Sequence, residues 1–261
     1  MMVEFTIDGN KRKAEKGGTI LDEAEKLGIK IPTLCYHKAL TPFGSCRLCI
    51  VEVTKGKRTR IVTSCNYPVE EGIAVETGTD RILQHRRLIM EFLLARCPEV
   101  PVLKDLAEGM GVTRTRFKKE DKDCILCGLC VRVCHEIIKA GAIDLVSRGT
   151  EEDVDTPFKS ASESCIGCGA CASLCPTGAI KFEDIKEERG FARWHTSLPL
   201  KKCRFCGKVV APNAQITYLR KKIELPDEIF ETCAACKRKR YGQEIIALTG
   251  HTRFQAKGEP K

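Results

Sequence analysis

The chain has 261 residues, 17 of them cysteine, and a formal net charge of +9. No stretch approaches the roughly 18 consecutive apolar residues of a membrane span, and the residues after Met1 are charged and strand-like, unlike the apolar core of a signal peptide. We therefore expect a cytoplasmic protein without direct membrane insertion, whose reduced thiols bind metals and do not form a disulfide framework. All but one of the cysteines fall into four sets of four, which predicts several small modules, each built around a metal site.

Residues 1–78 are predicted to form an α+β module. Strand-like sequence covers residues 3–7, 48–53, 60–64 and 73–76. Thr19 is a candidate N-cap of a short helix that ends at Gly28, and a tight turn is expected at residues 8–10. The module's cysteines are Cys35, Cys46, Cys49 and Cys65. Soft thiolates select iron–sulfur clusters or zinc, and cysteines on one long loop plus one distant strand favour a [2Fe-2S] cluster over the two knuckles of a zinc ribbon.

Residues 79–113 are predicted to be a helical linker. Residues 79–96 have helical periodicity. The apolar face of this helix is expected to consist of Ile82, Leu88, Ile89, Phe92 and Leu93. We expect His85 to be a helix-surface or interface residue and Cys97, which belongs to none of the four sets, to be a buried small hydrophobe. A ligand shared with a partner subunit is the alternative for Cys97.

Residues 114–192 contain the pattern C-x2-C-x2-C-x3-C twice. The first copy is Cys124, Cys127, Cys130 and Cys134, and the second is Cys165, Cys168, Cys171 and Cys175. This spacing places three cysteines on one [4Fe-4S] cluster and sends the fourth to the neighbouring cluster. One cluster is therefore predicted on Cys124, Cys127, Cys130 and Cys175, and the other on Cys134, Cys165, Cys168 and Cys171. The acidic run at residues 151–155, between the two repeats, is expected to be a solvated loop, with docking to a basic partner as the weaker alternative.

Residues 193–261 carry two C-x2-C knuckles, formed by Cys203, Cys206, Cys233 and Cys236. Paired knuckles are typical of a structural tetrahedral site, so a zinc-ribbon-like module is predicted, with a helix near residues 214–222. A rubredoxin-like iron or a further iron–sulfur cluster remains an alternative to zinc. The basic run Lys237–Arg240 is expected to be a solvated face, in preference to a nucleic-acid contact.

The positive charge does not by itself indicate a nucleic-acid partner. Sixteen ligating thiolates would bring sixteen negative charges against the formal +9. The metal cores would add about eight positive charges, so the net charge of the metal-loaded protein would be about +1. The basic excess is therefore interpreted as compensation for anionic metal sites.

Several segments of the first module resemble a known family. Residues 31–37 (IPTLCYH), 44–53 (GSCRLCIVEV), 63–69 (TSCNYPV) and 72–75 (GIAV) are similar to the β-grasp [2Fe-2S] domain in the G subunit of NADH dehydrogenase. The same domain opens the diaphorase small subunit of NAD-linked hydrogenases, the iron-only hydrogenases and NAD-dependent formate dehydrogenases. With the tandem repeat, the resemblance extends to about residue 192.

The resemblance implies a β-grasp [2Fe-2S] ferredoxin-like domain followed by a tandem [4Fe-4S] ferredoxin domain. Cys35, Cys46, Cys49 and Cys65 match the family's [2Fe-2S] ligands. Many relatives have a further cluster, held by one histidine and three cysteines, after the linker helix. Because Cys97 stands alone there in this chain, that cluster is expected to be missing.

The sequence contains no Gly-rich dinucleotide fingerprint, phosphate loop or Ser/His/Asp constellation. The resemblance therefore implies a non-catalytic electron-relay subunit of an NAD-linked oxidoreductase. Its implied partners are a flavin- and NAD-binding subunit, a thioredoxin-like [2Fe-2S] subunit, and a terminal catalytic subunit such as a hydrogenase or formate dehydrogenase. A free-standing ferredoxin-like carrier is the alternative, and a redox-sensing nucleic-acid binder is disfavoured.

Overall fold

The structure is a computed structural model that describes residues 2–249. Within these residues the chain forms two compact units. The first comprises residues 2–164 and 169–181, and the second comprises residues 165–168 and 182–249. Across the described residues, no helix combines the length and apolarity needed to cross a bilayer.

The first unit begins with a five-stranded sheet of order β2-β1-β5-β3-β4. Its strands are β1 (Met2–Ile7), β2 (Asn10–Glu15), β3 (Ile50–Lys55), β4 (Arg58–Thr63) and β5 (Ala74–Glu76). β1 pairs antiparallel with β2 and parallel with β5, whereas β3 pairs antiparallel with both β4 and β5. Alternate β1 side chains, from Val3 through Phe5 to Ile7, face the core, as the period of a half-buried strand requires.

One helix, α1 (Ile20–Lys26), packs against this sheet. The backbone N–H of Asp22 donates to Thr19 Oγ1 at 3.1 Å, and the backbone N–H of Thr19 donates to Asp22 Oδ2 at 3.4 Å. This capping box satisfies two amides that the first helical turn leaves unpaired. The helix begins where the N-cap signal at Thr19 predicted, and the tight turn at residues 8–10 joins β1 to β2.

The linker region contains α2 (Asp80–Arg96) and α3 (Pro101–Gly109). The predicted apolar face of α2 is partly wrong, because Phe92 is 52% exposed and stacks on Phe117 with ring centroids 4.3 Å apart. The buried side chains of the helix are Ile82, Arg86, Met90, Leu94 and Ala95. A charged residue therefore lies on the core face, where hydrophobic periodicity does not place one.

Arg86 is buried because its guanidinium binds the backbone near Cys49. Nε donates to the carbonyl of Leu48 at 3.0 Å and Nη2 to the carbonyl of Ile50 at 2.7 Å. These bonds replace the water that the guanidinium loses on burial. They also fix α2 against the start of β3, which begins two residues later than the strand expected at residues 48–53.

Short elements follow in the rest of the first unit. They are α4 (Leu129–Arg132), a π-helical turn (Val133–Ile138), β6 (Asp144–Val146), β7 (Asp153–Asp155) and α5 (Ala170–Ser173). β7 pairs antiparallel with β6 and buries Val154. The expectation that residues 151–155 form only a solvated loop is therefore wrong, because one apolar side chain within the acidic run anchors a strand.

The second unit contains a four-stranded antiparallel sheet of order β11-β10-β9-β8. Its strands are β8 (Glu183–Ile185), β9 (Glu188–Phe191), β10 (Thr196–Lys202) and β11 (Val209–Pro212). Three helices follow, α6 (Asn213–Arg220), α7 (Asp227–Glu231) and α8 (Ala234–Thr249). Phe191 and Trp194 are the largest buried side chains here, and α6 is the helix expected near residues 214–222.

Candidate metal centres

The four cysteines of the first module lie buried beside the five-stranded sheet. Three stand on the long loop between α1 and β3, and the fourth lies in the turn after β4. Cys35, Cys46, Cys49 and Cys65 are each at most 6% exposed. The structure thus brings together the residues predicted to hold a [2Fe-2S] cluster.

These cysteines contact one another in two pairs. A hydrogen bond from the Cys46 side chain lowers the pKa of the Cys35 thiol to about 6, against the opposing effect of burial. A hydrogen bond from the Cys65 side chain likewise lowers the pKa of Cys49 to about 6. A [2Fe-2S] core binds four thiolates, two on each iron, so two pairs of sulfurs are the arrangement that this cluster requires.

The first cysteine repeat places its thiols in the same unit. Cys127 and Cys130 are buried, whereas Cys124 and Cys175 are half-buried. Burial is the main cause that raises the pKa of Cys127 to about 11. A hydrogen bond from the backbone of Leu129 opposes it, and charges on Cys124, Cys175 and Cys35 add to it. Cys175 therefore lies within electrostatic range of Cys127, although 48 residues separate them in the sequence. Buried thiolates need a nearby cation, and the irons of a cluster would supply it.

The other predicted [4Fe-4S] ligands are divided between the two units. Cys134 and Cys171 belong to the first unit, and Cys165 and Cys168 belong to the second. All four are half-buried. The backbone N–H of Ala142 points to the Cys134 sulfur at 3.3 Å, a contact of the kind that tunes cluster potentials.

Hydrogen bonds join the [2Fe-2S] loop to the first cysteine repeat. Ser45 Oγ donates to the carbonyl of Leu126 at 2.9 Å, and the backbone N–H of Thr41 donates to Glu136 Oε2 at 2.7 Å. A single hydrophobic core also contains Leu34 and Leu48 from the first segment together with Ile125 and Leu129 from the repeat. Two candidate cluster sites are thus held against each other within one unit.

Arg132 makes a third connection between these segments. Its Nη2 donates to the carbonyl of Cys35 at 2.6 Å, and its Nη1 donates to the carbonyl of Thr41 at 2.5 Å. The guanidinium also lies 5.6 Å from the ring centroid of Phe43. The sequence patterns did not predict a role for Arg132. The one available signal was a difference between the two cysteine repeats, since Ser173 occupies the corresponding position of the second copy.

The four C-terminal cysteines converge on one point. The Sγ atoms of Cys203, Cys206, Cys233 and Cys236 all lie within 4.8 Å of one another. One knuckle lies between β10 and β11, and the other opens α8. Backbone hydrogen bonding, chiefly from Cys233, lowers the pKa of Cys203 to about 6. This all-thiol donor set fits a soft or borderline metal ion.

The two remaining candidates lie outside these clusters. Cys97 is fully buried in the hydrophobic core, which raises the pKa of its thiol to about 12. The prediction that Cys97 is a buried small hydrophobe is thereby confirmed. His85 is exposed on α2, with Nδ1 2.7 Å from the carbonyl oxygen of Arg81, as expected of a helix-surface residue.

Two families of known domains match the chain. Residues 1–80 match the 2Fe-2S iron-sulfur cluster binding domain, and residues 162–181 match the 4Fe-4S binding domain. The α+β fold class predicted from the sequence is confirmed, including its N-terminal [2Fe-2S] and following [4Fe-4S] domains. The chain thus contains a 2Fe-2S iron-sulfur cluster binding domain and a 4Fe-4S binding domain.

Curated relatives are similar over much of this chain. NADPH-Fe(3+) oxidoreductase subunit alpha of Geobacter sulfurreducens is 33% identical over an alignment of 275 positions, gaps included, that covers 94% of this chain and 32% of the relative. The NADH-quinone oxidoreductase G 2 subunit of Rhizobium meliloti is 35% identical, with 69% and 24% covered. The mitochondrial NADH-ubiquinone oxidoreductase 78 kDa subunit of Neurospora crassa is 37% identical, with 58% and 24% covered. The chain therefore spans about a third or less of the length of these relatives.

A solved structure is also similar. The crystal structure of an NAD+-reducing [NiFe]-hydrogenase in the H2-reduced state contains a chain that matches with a TM-score of 0.58 and 27% identity. The match covers 73% of this chain and 87% of that chain. Together with the curated relatives, it confirms the predicted resemblance to the G subunit of NADH dehydrogenase and to NAD-linked hydrogenases.

The loop of the second cysteine repeat depends on a glycine in the second unit. Gly167 has φ +71°, and an added Cβ would lie 2.8 Å from Leu198 Cδ1 and 2.9 Å from Pro212 Cγ. The backbone between Cys165 and Cys168 therefore packs too closely on β10 and β11 for any side chain. Gly207, in the same unit, has φ +70° but no atom within 4 Å of such a Cβ.

We predict that Gly167→Ala destabilises the protein more than Gly207→Ala. Both variants force alanine into a left-handed conformation at a cost of about 1–2 kcal/mol, but only Gly167→Ala must also displace packed side chains, at about 1–3 kcal/mol more. Thermal unfolding and the iron content of the anaerobically purified full chain would be measured for both variants. Equal melting temperatures would show that the close packing around Gly167 does not matter.

Proposed function

We propose that this chain is an electron-relay subunit of a multisubunit oxidoreductase. It passes electrons through one [2Fe-2S] and two [4Fe-4S] clusters, between an NAD(H)- and flavin-binding subunit and a second catalytic subunit such as a hydrogenase or formate dehydrogenase. The observation that carries the proposal is the attachment of the [2Fe-2S] loop to the first cysteine repeat by hydrogen bonds and a common core. Adjacent cluster sites suit a relay, because electrons must pass from one cluster to the next.

Twelve cysteines would bind the iron–sulfur clusters. The [2Fe-2S] ligands are Cys35, Cys46, Cys49 and Cys65. The ligands of one [4Fe-4S] cluster are Cys124, Cys127, Cys130 and Cys175, and those of the other are Cys134, Cys165, Cys168 and Cys171. The contacts within the first two sets support this assignment, whereas the third set rests on its spacing. When bound, the clusters supply reversible one-electron chemistry, and the protein holds their ligands and excludes water.

The chain is proposed to contain four modules with separate tasks. Residues 1–78 hold the [2Fe-2S] cluster, residues 79–113 form a helical linker, residues 114–192 hold the two [4Fe-4S] clusters, and residues 193–261 form the four-cysteine module. We place the protein in the cytoplasm, where reduced thiols remain available to metals. The proposed partners, a flavin/NAD subunit, a thioredoxin-like [2Fe-2S] subunit and a terminal catalytic subunit, follow from the NAD-linked relatives.

We assign zinc to the C-terminal cysteines. Four thiolates arranged as a tetrahedron around one zinc ion, with Zn–S bonds of about 2.3 Å, lie about 3.8 Å apart. The sulfurs of Cys206 and Cys233 are 3.6 Å apart, and all four lie within 4.8 Å of one another. This spacing supports a single ion in preference to a larger cluster, and a structural zinc would join the knuckle before β11 to the start of α8.

The relay proposal predicts how the chain responds to NADH. Because the chain itself has no proposed nucleotide site, the isolated protein should be reduced by dithionite but not by NADH. After mild anaerobic purification from its native cells, the chain should be part of a complex that contains flavin, and NADH should then reduce its clusters. Native mass spectrometry and optical absorption would measure both points. A stable free monomer that exchanges electrons with soluble donors would contradict the relay and support an independent carrier.

The cluster assignment predicts the iron content and its response to substitution. The anaerobically purified chain should contain about ten irons, because one [2Fe-2S] and two [4Fe-4S] clusters are present. Cys46→Ser should remove the [2Fe-2S] signal from the electron paramagnetic resonance (EPR) spectrum and leave the [4Fe-4S] signals. Cys97→Ala is the matched control, since it changes a buried cysteine that binds no cluster. Iron loss in the Cys97→Ala variant equal to that in the Cys46→Ser variant would contradict the assignment.

The zinc assignment has its own test. Elemental analysis should find about one zinc per chain, and Cys206→Ser should lower zinc below one without changing the iron content, because one tetrahedral ligand is lost. Iron in place of zinc would assign a rubredoxin-like site. Retention of full zinc in the Cys206→Ser variant would show that the ion is bound elsewhere.

A further inference from the structure

Arg132 occupies an unusual position between two candidate cluster sites. It ends α4 and lies between Cys130 and Cys134, the last two cysteines of the first repeat. Its side chain nevertheless extends to the [2Fe-2S] loop, where it binds the carbonyls of Cys35 and Thr41. The guanidinium is therefore supplied by one cluster module and positioned by the backbone of another.

The charge of Arg132 is not neutralised by a direct ion pair. Within residues 2–249, no carboxylate lies in salt-bridge contact with this side chain. The nearby Glu136 accepts a hydrogen bond from the backbone of Thr41, which lowers its pKa, and the charge of Arg132 lowers it further without a direct contact. The Nε atom of Arg132 is buried and has no hydrogen-bond partner in the protein. Buried donors are normally satisfied, so this N–H is a donor left without an acceptor among the described residues, on a guanidinium whose charge has no direct ion pair there.

The position of Cys35 shows that the guanidinium of Arg132 lies beside the predicted [2Fe-2S] site. Arg132 Nη2 donates to the backbone carbonyl of Cys35 itself at 2.6 Å, and the thiol of that residue is buried. The guanidinium is thus held on the backbone of a residue whose sulfur would bind the [2Fe-2S] cluster. A [2Fe-2S] core with four thiolates is anionic and becomes more so on reduction, so a nearby cation stabilises the reduced form more than the oxidised form.

We propose that Arg132 is a positioning and tuning residue that raises the reduction potential of the [2Fe-2S] cluster from within the [4Fe-4S] module. The proposal rests on the function inferred above, because it requires that Cys35 binds this cluster. Net charge and hydrogen bonds to sulfur are among the factors that set cluster potentials. The second repeat has Ser173 in the corresponding position, where its hydroxyl binds the carbonyl of Gly169, so this charge is specific to the first repeat.

The test is an anaerobic redox titration of the full chain, followed by the [2Fe-2S] EPR signal. Arg132→Met and Arg132→Gln remove the charge, and Arg132→Lys keeps it. We expect both neutral variants to lower the equilibrium constant for reduction by about tenfold, which is 59 mV for one electron. Arg132→Lys should stay within about threefold of the wild type, because the cation remains.

Arg96→Gln is the matched control. Arg96 Nε also donates to the carbonyl of a predicted ligand, Cys124, at 2.8 Å. Its charge, however, is paired with Glu120 at 3.8 Å, and the cluster predicted at Cys124 is a different one. Arg96→Gln should therefore leave the [2Fe-2S] potential unchanged.

The outcomes separate this inference from the proposed function. An unchanged potential in Arg132→Gln, an equal shift in Arg132→Lys, or an equal shift in Arg96→Gln would overturn the role of Arg132. If Arg132→Met fails to assemble its clusters, Arg132→Gln supplies the neutral measurement and Arg132→Lys the charged one. Absence of any [2Fe-2S] signal from the wild type would overturn the proposed function, and this inference with it.

Discussion

Burial of thiolate groups is the constraint on which the rest of the structure depends. A buried anion without a counter-charge is strongly unfavourable, yet the four [2Fe-2S] cysteines are nearly inaccessible and Cys127 and Cys130 are buried as well. In the proposed assignment, bound iron would be the main source of compensating charge. The protein adds cations beside the sulfurs, with Arg86 bound behind Cys49 and Arg132 bound beside Cys35. Two of the chain's basic residues thus lie beside predicted cluster ligands.

The same burial explains why the two kinds of cluster site lie together. Neither the loop between α1 and β3 nor the first repeat has enough secondary structure to bury its apolar residues alone. They share one hydrophobic core with α2 and α3, and side-chain hydrogen bonds from Ser45 and Arg132 connect their backbones. Packing thus places the cluster sites beside each other, and this proximity is what makes a relay a better functional conclusion than two independent metal sites.

Local signals in the sequence predicted much of the first module and the candidate ligands, whereas the four-stranded sheet β8–β11 was not predicted. Cysteine spacing, the alternation of Val3, Phe5 and Ile7, and the Thr19 cap depend on neighbours in the chain, so they can be identified from sequence. β2 was not recognised, because it is an edge strand rich in lysine with only Ala14 buried. The positions of the Arg86 and Arg132 side chains depend on carbonyls 36 to 38 and 91 to 97 residues away. No local pattern predicts contacts of this kind.

The central claim is that the [2Fe-2S] cluster and the nearest [4Fe-4S] cluster lie close enough to exchange electrons directly. EPR spectroscopy of the fully reduced, anaerobically isolated chain tests this claim, because two paramagnetic clusters at short distance broaden or split each other's signals. The account predicts a [2Fe-2S] spectrum that is simple when this cluster alone is reduced and becomes broadened or split when the [4Fe-4S] clusters are reduced as well. A fully reduced spectrum that is only the sum of independent signals would contradict it.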